Sequence, residues 1–399
     1  MKTPKLCVYC KGSRHLCGHA PCPLLARYRI MPTINKAIKK EFFGPSPSIF
    51  IGYSGYPNVA IGPMASLEEK PQVDDPSQWF GQNYSDIIKA RSLNLRSKHK
   101  ESVRSYSKLV QMVQEIALAT KPTDVELHFK NKPTYKVSFS NITQPEGPVA
   151  DLRKAYLTGN VRVARHVDRI VSDELKAAQS ANLLYNRGED VYKINTILSS
   201  GILGVKDKRM VPTRWSITAT DDIIAKELLK KVRDFPSINE YLVFKSNYLD
   251  NKFIILMIPG NWEYENFEAW HPGSTWYQGK YSEPIIIEEY EPFKGRTAYA
   301  DKEAGGYYAA RLATIEALHN MKRQARVVVF REISSGYTIP MGVWVVRETA
   351  RNAFKTDPQK FNNLDSALKY IGTQLKNPLD AYITQSNILK QKRLSDFFN

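Results

Sequence analysis

Cysteine is absent from this chain after residue 22. All four of its cysteines sit at positions 7, 10, 17 and 22 of 399. The body of the protein is therefore no disulfide scaffold, and thiols gathered so tightly read as metal ligands. Long apolar runs are also missing. Nothing approaches the roughly 20 consecutive apolar residues of a membrane span, and the N-terminus is basic and cysteine-rich where a signal peptide would carry an apolar core. The expectation is a soluble, cytoplasmic protein. Acidic residues are scarce, 40 against 57 Lys and Arg for a formal net charge of +17, which suits a polyanionic partner. Residues 1–110 alone hold 17 basic and 7 acidic residues. There is no internal repeat, and no Lys-Ser/Thr follows a glycine pair as a P-loop requires.

The cysteines run Cys7-x2-Cys10-x6-Cys17-x4-Cys22. Four thiolates suffice for tetrahedral zinc, and a closed site of that kind is structural because no position is left open for substrate. His15 and His19 are substitute ligands, so a three-cysteine, one-histidine set stays open, with an iron–sulfur cluster as the minor alternative. At the other end, Gln391-Lys392-Arg393-Leu394-Ser395-Asp396-Phe397-Phe398 has the form Gln-x-x-Leu-x-x-Phe-Phe of a sliding-clamp (PCNA) docking peptide. One 3₁₀ turn brings residues three apart onto one side, so Leu394, Phe397 and Phe398 form an apolar plug and Gln391 supplies directional hydrogen bonds.

The patterning predicts a mixed α/β or α+β fold with flanking helices. Its expected parts are a zinc module at 1–30, a basic helix-and-hairpin region at 31–150, a mixed α/β domain at 151–376 and a flexible tail at 377–399. Within these, a basic helix is expected near 35–43, strands at 48–53 and 56–63, a helix over 85–119 and a long helix over 161–186. The 85–119 stretch is the most densely basic, and Lys89, Arg91, Arg96, Lys98, Lys100 and Arg104 are candidate DNA contacts.

Three segments are richer in Trp, Arg and acids than a core demands. In 212–222, alternation of Arg214, Ser216 and Thr218 with Trp215, Ile217 and Ala219 predicts a strand, with a guanidinium suited to phosphate and Asp221-Asp222 opening a helix. In 259–273, Glu263 and Glu265 share a face of a strand, where with His271 they could ligate a second, unspecified divalent metal or act as acid and base; Trp262 is a candidate stacking platform. In 295–311, Asp301 and Glu303 precede Gly305-Gly306 at a helix start that exposes backbone N–H groups to an anion, with Arg311 one turn on. Together these residues are the candidate walls of a nucleotide or phosphate cleft.

The opening cysteines, the 51–57 hairpin (Ile-Gly-Tyr-Ser-Gly-Tyr-Pro), the 211–218 and 262–273 segments, the Gly305-Gly306 helix and the terminal peptide occur in an order that resembles the NreA family of archaeal DNA repair proteins. The resemblance spans nearly the whole chain. It implies a role in the DNA-damage response with the replication clamp as partner, in a cytoplasm without a nucleus, and supplies no catalytic assignment. Two readings follow: a repair factor that binds DNA through its basic N-terminal half, or a repair hydrolase acting on a nucleotide, a DNA end or a phosphate-linked adduct. The hydrolase requires the polar groups to converge in one cleft, whereas the binding factor leaves them dispersed or locked in structural ion pairs.

Overall fold

The computed structural model describes residues 10, 13–16, 22–68, 75–136, 144–205, 207–275, 277 and 283–390. Cys7, Cys17 and the clamp-peptide residues Gln391, Leu394, Phe397 and Phe398 lie outside them. The chain divides into two compact units: an N-terminal unit of Ala20–Phe139 with Pro145–Ile224, and a C-terminal unit that is chiefly Ala225–Asn399. Each is built on a mixed six-stranded sheet, so the expected mixed α/β class holds with two sheets. Among the described residues no helix is long and apolar enough to cross a membrane.

The N-terminal unit opens with α1 (Pro23–Ala37), followed by strands β1 (Glu41–Ser46), β2 (Ser48–Ile51) and β3 (Asn58–Ser66). The basic helix expected at 35–43 is thus the end of α1 and the start of β1. The stretch read as one helix over 85–119 is three elements: α2 (Tyr84–Ser92), β4 (Asn94–Ser102) and α3 (Lys108–Leu118). Local signals account for the break. The Asn83 side chain accepts from Asp86 N and the Ser107 hydroxyl from Val110 N, so each helix has its own N-cap. Between them Leu95 and Ser97 are buried, while Arg96, Lys98 and Lys100 take the other face of β4, a period of two. Strands β5 (Thr123–Phe129) and β6 (Val149–Leu157) complete a sheet of order β1-β5-β6-β4-β3-β2, antiparallel except for β4 beside β6. Its core joins Ile30 and Ile34 of α1 and Val110, Val113 and Ile116 of α3 to Ile51, Ile61, Val125 and Leu127.

The long helix expected over 161–186 is split into α4 (Arg165–Ser172) and α5 (Ala177–Asn186). The Gln179 side chain accepts from Lys176 N at 3.1 Å, a helix-start bond that restarts the chain after the break. After α6 (Val191–Ser199) comes α7 (Thr213–Val232), and the division between units falls inside it. Residues 214–219 are therefore helical, not a strand. Pro212 precedes the first turn, where its missing N–H costs nothing, and the helical spacing of buried Ile224, Ala225, Leu228, Leu229 and Val232 carries the helix back through the alternating residues. Asp221 and Asp222 lie within this helix and do not open it.

In the C-terminal unit, β7 (Tyr241–Tyr248), β8 (Asn251–Ile258), β9 (Glu263–Trp270), β10 (Ile285–Glu291), β11 (Arg326–Ile333) and β12 (Gln359–Phe361) form a sheet of order β10-β9-β11-β8-β7-β12, with β9 and β11 parallel. Helices α8 (Gly305–Met321) and α9 (Val343–Ala353) serve one face. The other meets α10 (Leu364–Gln374), α11 (Asp380–Ile383) and α12 (Asn387–Lys390). A sheet covered on both faces needs strands that are apolar throughout, as in Ile254-Ile255-Leu256-Met257 and Val327-Val328-Val329-Phe330, all buried.

The tail expected from 377 does not leave the body there. Tyr382 is fully buried, edge-on to Phe267 and Phe330, and Ile388 is buried in the same cluster. Tyr382→Ala should cost about 3–5 kcal/mol of stability, the usual result of truncating a core aromatic. Deleting 391–399 should leave the melting curve unchanged. Thermal denaturation followed by circular dichroism checks both.

Candidate nucleic-acid interface

Three backbone segments of the N-terminal unit are laced together. Val103 N donates to Pro57 O at 2.9 Å, and Met210 N donates to Val103 O at 2.8 Å, which joins the β2–β3 loop, the β4–α3 loop and the approach to α7. Ile51 N donates to Thr213 Oγ1 at 3.3 Å, and Ser199 Oγ lies 3.2 Å from the same hydroxyl and 2.7 Å from Val211 O. Ser216 Oγ bonds Asn195 Oδ1 at 2.5 Å and Thr213 O at 3.1 Å. Gly201, with φ +74, completes the support: a Cβ there would stand 2.5 Å from the backbone of Arg209 and Met210, so only glycine allows this approach.

This framework carries aromatic groups into solvent. Trp215 is 46% exposed, Tyr56 42%, Tyr53 52% and Tyr106 69%. The Tyr56 and Trp215 rings are 5.1 Å apart and tilted by 51°, and the Arg214 guanidinium lies over Tyr53 at 5.5 Å. Arg104, Arg209, Arg214 and Lys100 are exposed on the same segments or at the adjoining end of β4; Arg104 makes a 3.5 Å ion pair with the exposed Asp207. Rings interleaved with guanidinium and ammonium groups can accept bases and phosphates together.

The candidate DNA contacts divide. Lys89, Lys100 and Arg104 are exposed. Arg91 is held by Pro145 O at 3.1 Å and lies over Trp79. Arg96 is paired with Glu146, and both Arg96 and Lys98 lie over the Phe50 ring, at 5.2 and 5.8 Å. Burial, and then the charge of Arg96, pushes the Lys98 ammonium below its ordinary range.

Of the residues drawn into the candidate cleft, Arg214, Trp215, Asp221 and Asp222 lie in the N-terminal unit and the others in the C-terminal unit. Asp221 is buried, while Arg214 and Trp215 are exposed. In the C-terminal unit the alternation of β9 sends the acids to opposite faces. Glu263 and Glu265 do share one, as expected. There Arg326 Nε meets Glu263 at 2.7 Å, and Glu265 accepts from Ser386 Oγ and from the backbone N–H groups of Asn387 and Ile388 at the start of α12. Burial pushes the Glu265 carboxyl up to about 7 against the pull of these donors.

On the other face Glu268 is paired with Arg331, whose Nε and Nη2 also bond Asn251 Oδ1 at 3.1 and 2.6 Å. Glu303 is bonded to Asn266, and burial, reinforced by the charge of Glu268, pushes its carboxyl far above the usual range. These two acids stand at the start of α8. A Cβ on Gly306 would come 2.5 Å from Glu268 Oε1, so this glycine permits close packing, and the protein's own Glu268 carboxylate stands at the helix end expected to receive an anion.

Trp262 is fully buried and stacked on Tyr264. Its Nε1 donates to Glu291 at 3.2 Å, as do Tyr307 Oη at 2.8 Å and Arg311 through Nε and Nη2 at 2.6 and 2.8 Å. Burial raises the Glu291 carboxyl, but the Arg311 charge and these bonds outweigh it and hold it below its ordinary value. Asp301 is exposed, and His271, half-buried at the end of β9, lies 3.5 Å from the Asn377 amide. Sequence reasoning missed Glu291, Arg331 and Asn251 as the partners that engage these groups. It also passed over Tyr53 and Tyr56 as site residues, although the Gly-Tyr-Pro punctuation of their loop was the available signal. Cys10 and Cys22 are buried.

The model for "Archaeal Nre, N-terminal" matches residues 16–277, and that for "Archaeal Nre, C-terminal" matches 291–397. The chain belongs to the archaeal Nre family. It is 34% identical over 391 residues to a protein of Archaeoglobus fulgidus named DNA repair protein NreB, with 97% of each chain covered. It is likewise 34% identical over 397 residues to that organism's DNA repair protein NreA, with 98% of each covered, and 36% identical over 325 residues to the NreA of Haloferax volcanii, covering 78% of this chain and 77% of that one. No solved structure matches it. Two of the segments that carried the Nre resemblance, 51–57 and 211–218, meet at the exposed aromatic cluster; two others, 262–273 and the Gly305-Gly306 helix, meet in the buried polar network.

Exposed and enclosed groups should respond differently to change. Glu268→Gln or Arg331→Met leaves a buried charge unpaired and should cost about 3–5 kcal/mol. Trp215→Ala and Arg214→Ala should stay within about 0.5 kcal/mol of wild type. Urea denaturation of the four variants measures this.

Proposed function

We propose that this Nre protein is a DNA repair factor that binds DNA through the N-terminal unit. The supporting observation is the exposed cluster of Tyr53, Tyr56, Trp215 and Arg214 beside Lys100 and Arg104. The names of the relatives support the repair setting. In the C-terminal unit, pairing of Glu263, Glu268 and Arg311 and enclosure of Trp262 favour a structural role for those groups over the hydrolase reading.

The clamp peptide Gln391, Leu394, Phe397 and Phe398 recruits the protein to the sliding clamp. Support for this comes from the match at all four spaced positions. The N-terminal cysteines Cys7, Cys10, Cys17 and Cys22 hold one structural zinc, a reading that the buried thiols of Cys10 and Cys22 fit. Zinc would there supply a cross-link for a segment too short to have its own core.

Fluorescence anisotropy with a labelled oligonucleotide tests the central reading. Lys100→Ala with Arg104→Ala should weaken binding and lower the slope of log K against log salt by about 0.7–0.9 per lost phosphate contact. Unchanged affinity and slope would count against the surface. Metal analysis should give one zinc per chain, lost in Cys10→Ser with Cys22→Ser. Calorimetry against the clamp should show no binding once 391–399 are deleted.

A further inference from the structure

We infer that the Tyr53, Tyr56, Trp215 cluster stacks on unpaired nucleotides, so that the bound DNA is single-stranded or carries an extruded base. The inference rests on the DNA-binding reading above and specifies the substrate of that surface. In a duplex the π faces of the bases are covered by their neighbours, and only phosphates and groove edges are offered to a protein. An exposed indole flanked by tyrosines has no use for either. It gains most from a base that has left the stack.

The geometry is that of an open platform. The Tyr56 and Trp215 rings are tilted by 51°, so they do not cover each other face to face, whereas the enclosed pair Trp262 and Tyr264 lies within 6° of parallel. The hydrogen bonds of Thr213, Ser199 and Ser216 fix the backbone under Trp215, and so limit the ordering cost of stacking. Charge selects the ligand class. Arg214 lies over Tyr53, and exposed Arg104, Arg209 and Lys100 follow on the laced segments. An aromatic cage for a cationic side chain would be repelled here, and a polyphosphate backbone is attracted.

The test uses the full-length protein with a single-stranded 20-mer, the same sequence as a duplex, and the duplex carrying one unpaired base. The single strand and the unpaired-base duplex should bind more tightly than the perfect duplex. Trp215→Ala should lower affinity for the single strand roughly 5- to 150-fold and for the perfect duplex less than about 2-fold, while Trp215→Phe keeps most of the single-strand affinity. Single-strand binding should also quench tryptophan emission, and the quench should vanish in Trp215→Phe. Equal binding to all three ligands, or an equal loss on all three in Trp215→Ala, would overturn the stacking inference and leave the DNA-binding reading standing. No binding to any of them would overturn both.

Discussion

A charge taken out of water must find a counter-charge or a full set of donors, and the C-terminal unit is organised by that demand. Its sheet is covered on both faces, yet β9 and β11 carry Glu263, Glu265, Glu268, Arg326, Arg331 and Glu332. The parallel register of the two strands sets Arg326 beside Glu263 and Arg331 beside Glu268, so pairing follows from the same hydrogen bonds that build the sheet. Acids without an adjacent cation recruit backbone instead. Glu265 takes the N–H groups that open α12, and Glu332 those of Lys376 and Asn377. These two carboxylates tie the C-terminal segment down as far as α12.

The N-terminal unit solves a different problem. Its loops must hold large aromatic groups where nothing in the unit covers them fully, and hydrogen bonding does what packing cannot. The run from Pro57 through Val103 to Met210, with Thr213 and Ser199 at its end, makes a stiff base for Tyr56 and Trp215. Stiffness in the support and openness of the rings are the properties a stacking surface needs. The buried network of the other unit, rich in the same residue types, has the first property without the second.

How much of this could be read from the sequence depended on whether a signal was local. The buried strands of the second sheet declared themselves as apolar runs, and the shared face of Glu263 and Glu265 followed from period two alone. The strand reading of 214–219 went astray because alternation in six residues is weak evidence beside a downstream helical pattern that extends through them. The basic stretch at 85–119 reads as one helix on its helical spacing, yet within it Arg96, Lys98 and Lys100 alternate with buried Leu95 and Ser97, the period of two that β4 follows. Long-range pairing was the least legible part. Nothing near Trp262 announces Glu291, and nothing near Gly306 says that a carboxylate from β9 will stand against it. A Trp, Arg and Glu-rich segment reads alike whether it lines a cleft or satisfies buried charge, and only the register between distant strands decides.

Hydrogen–deuterium exchange of the full-length protein with and without single-stranded DNA tests the central claim most directly, because it locates the contact without presupposing any residue. The account predicts slowed exchange in the 51–58, 103–107 and 209–216 segments and no change over 263–270 or 303–311. Protection confined to those C-terminal segments, with the aromatic loops unaffected, would contradict it.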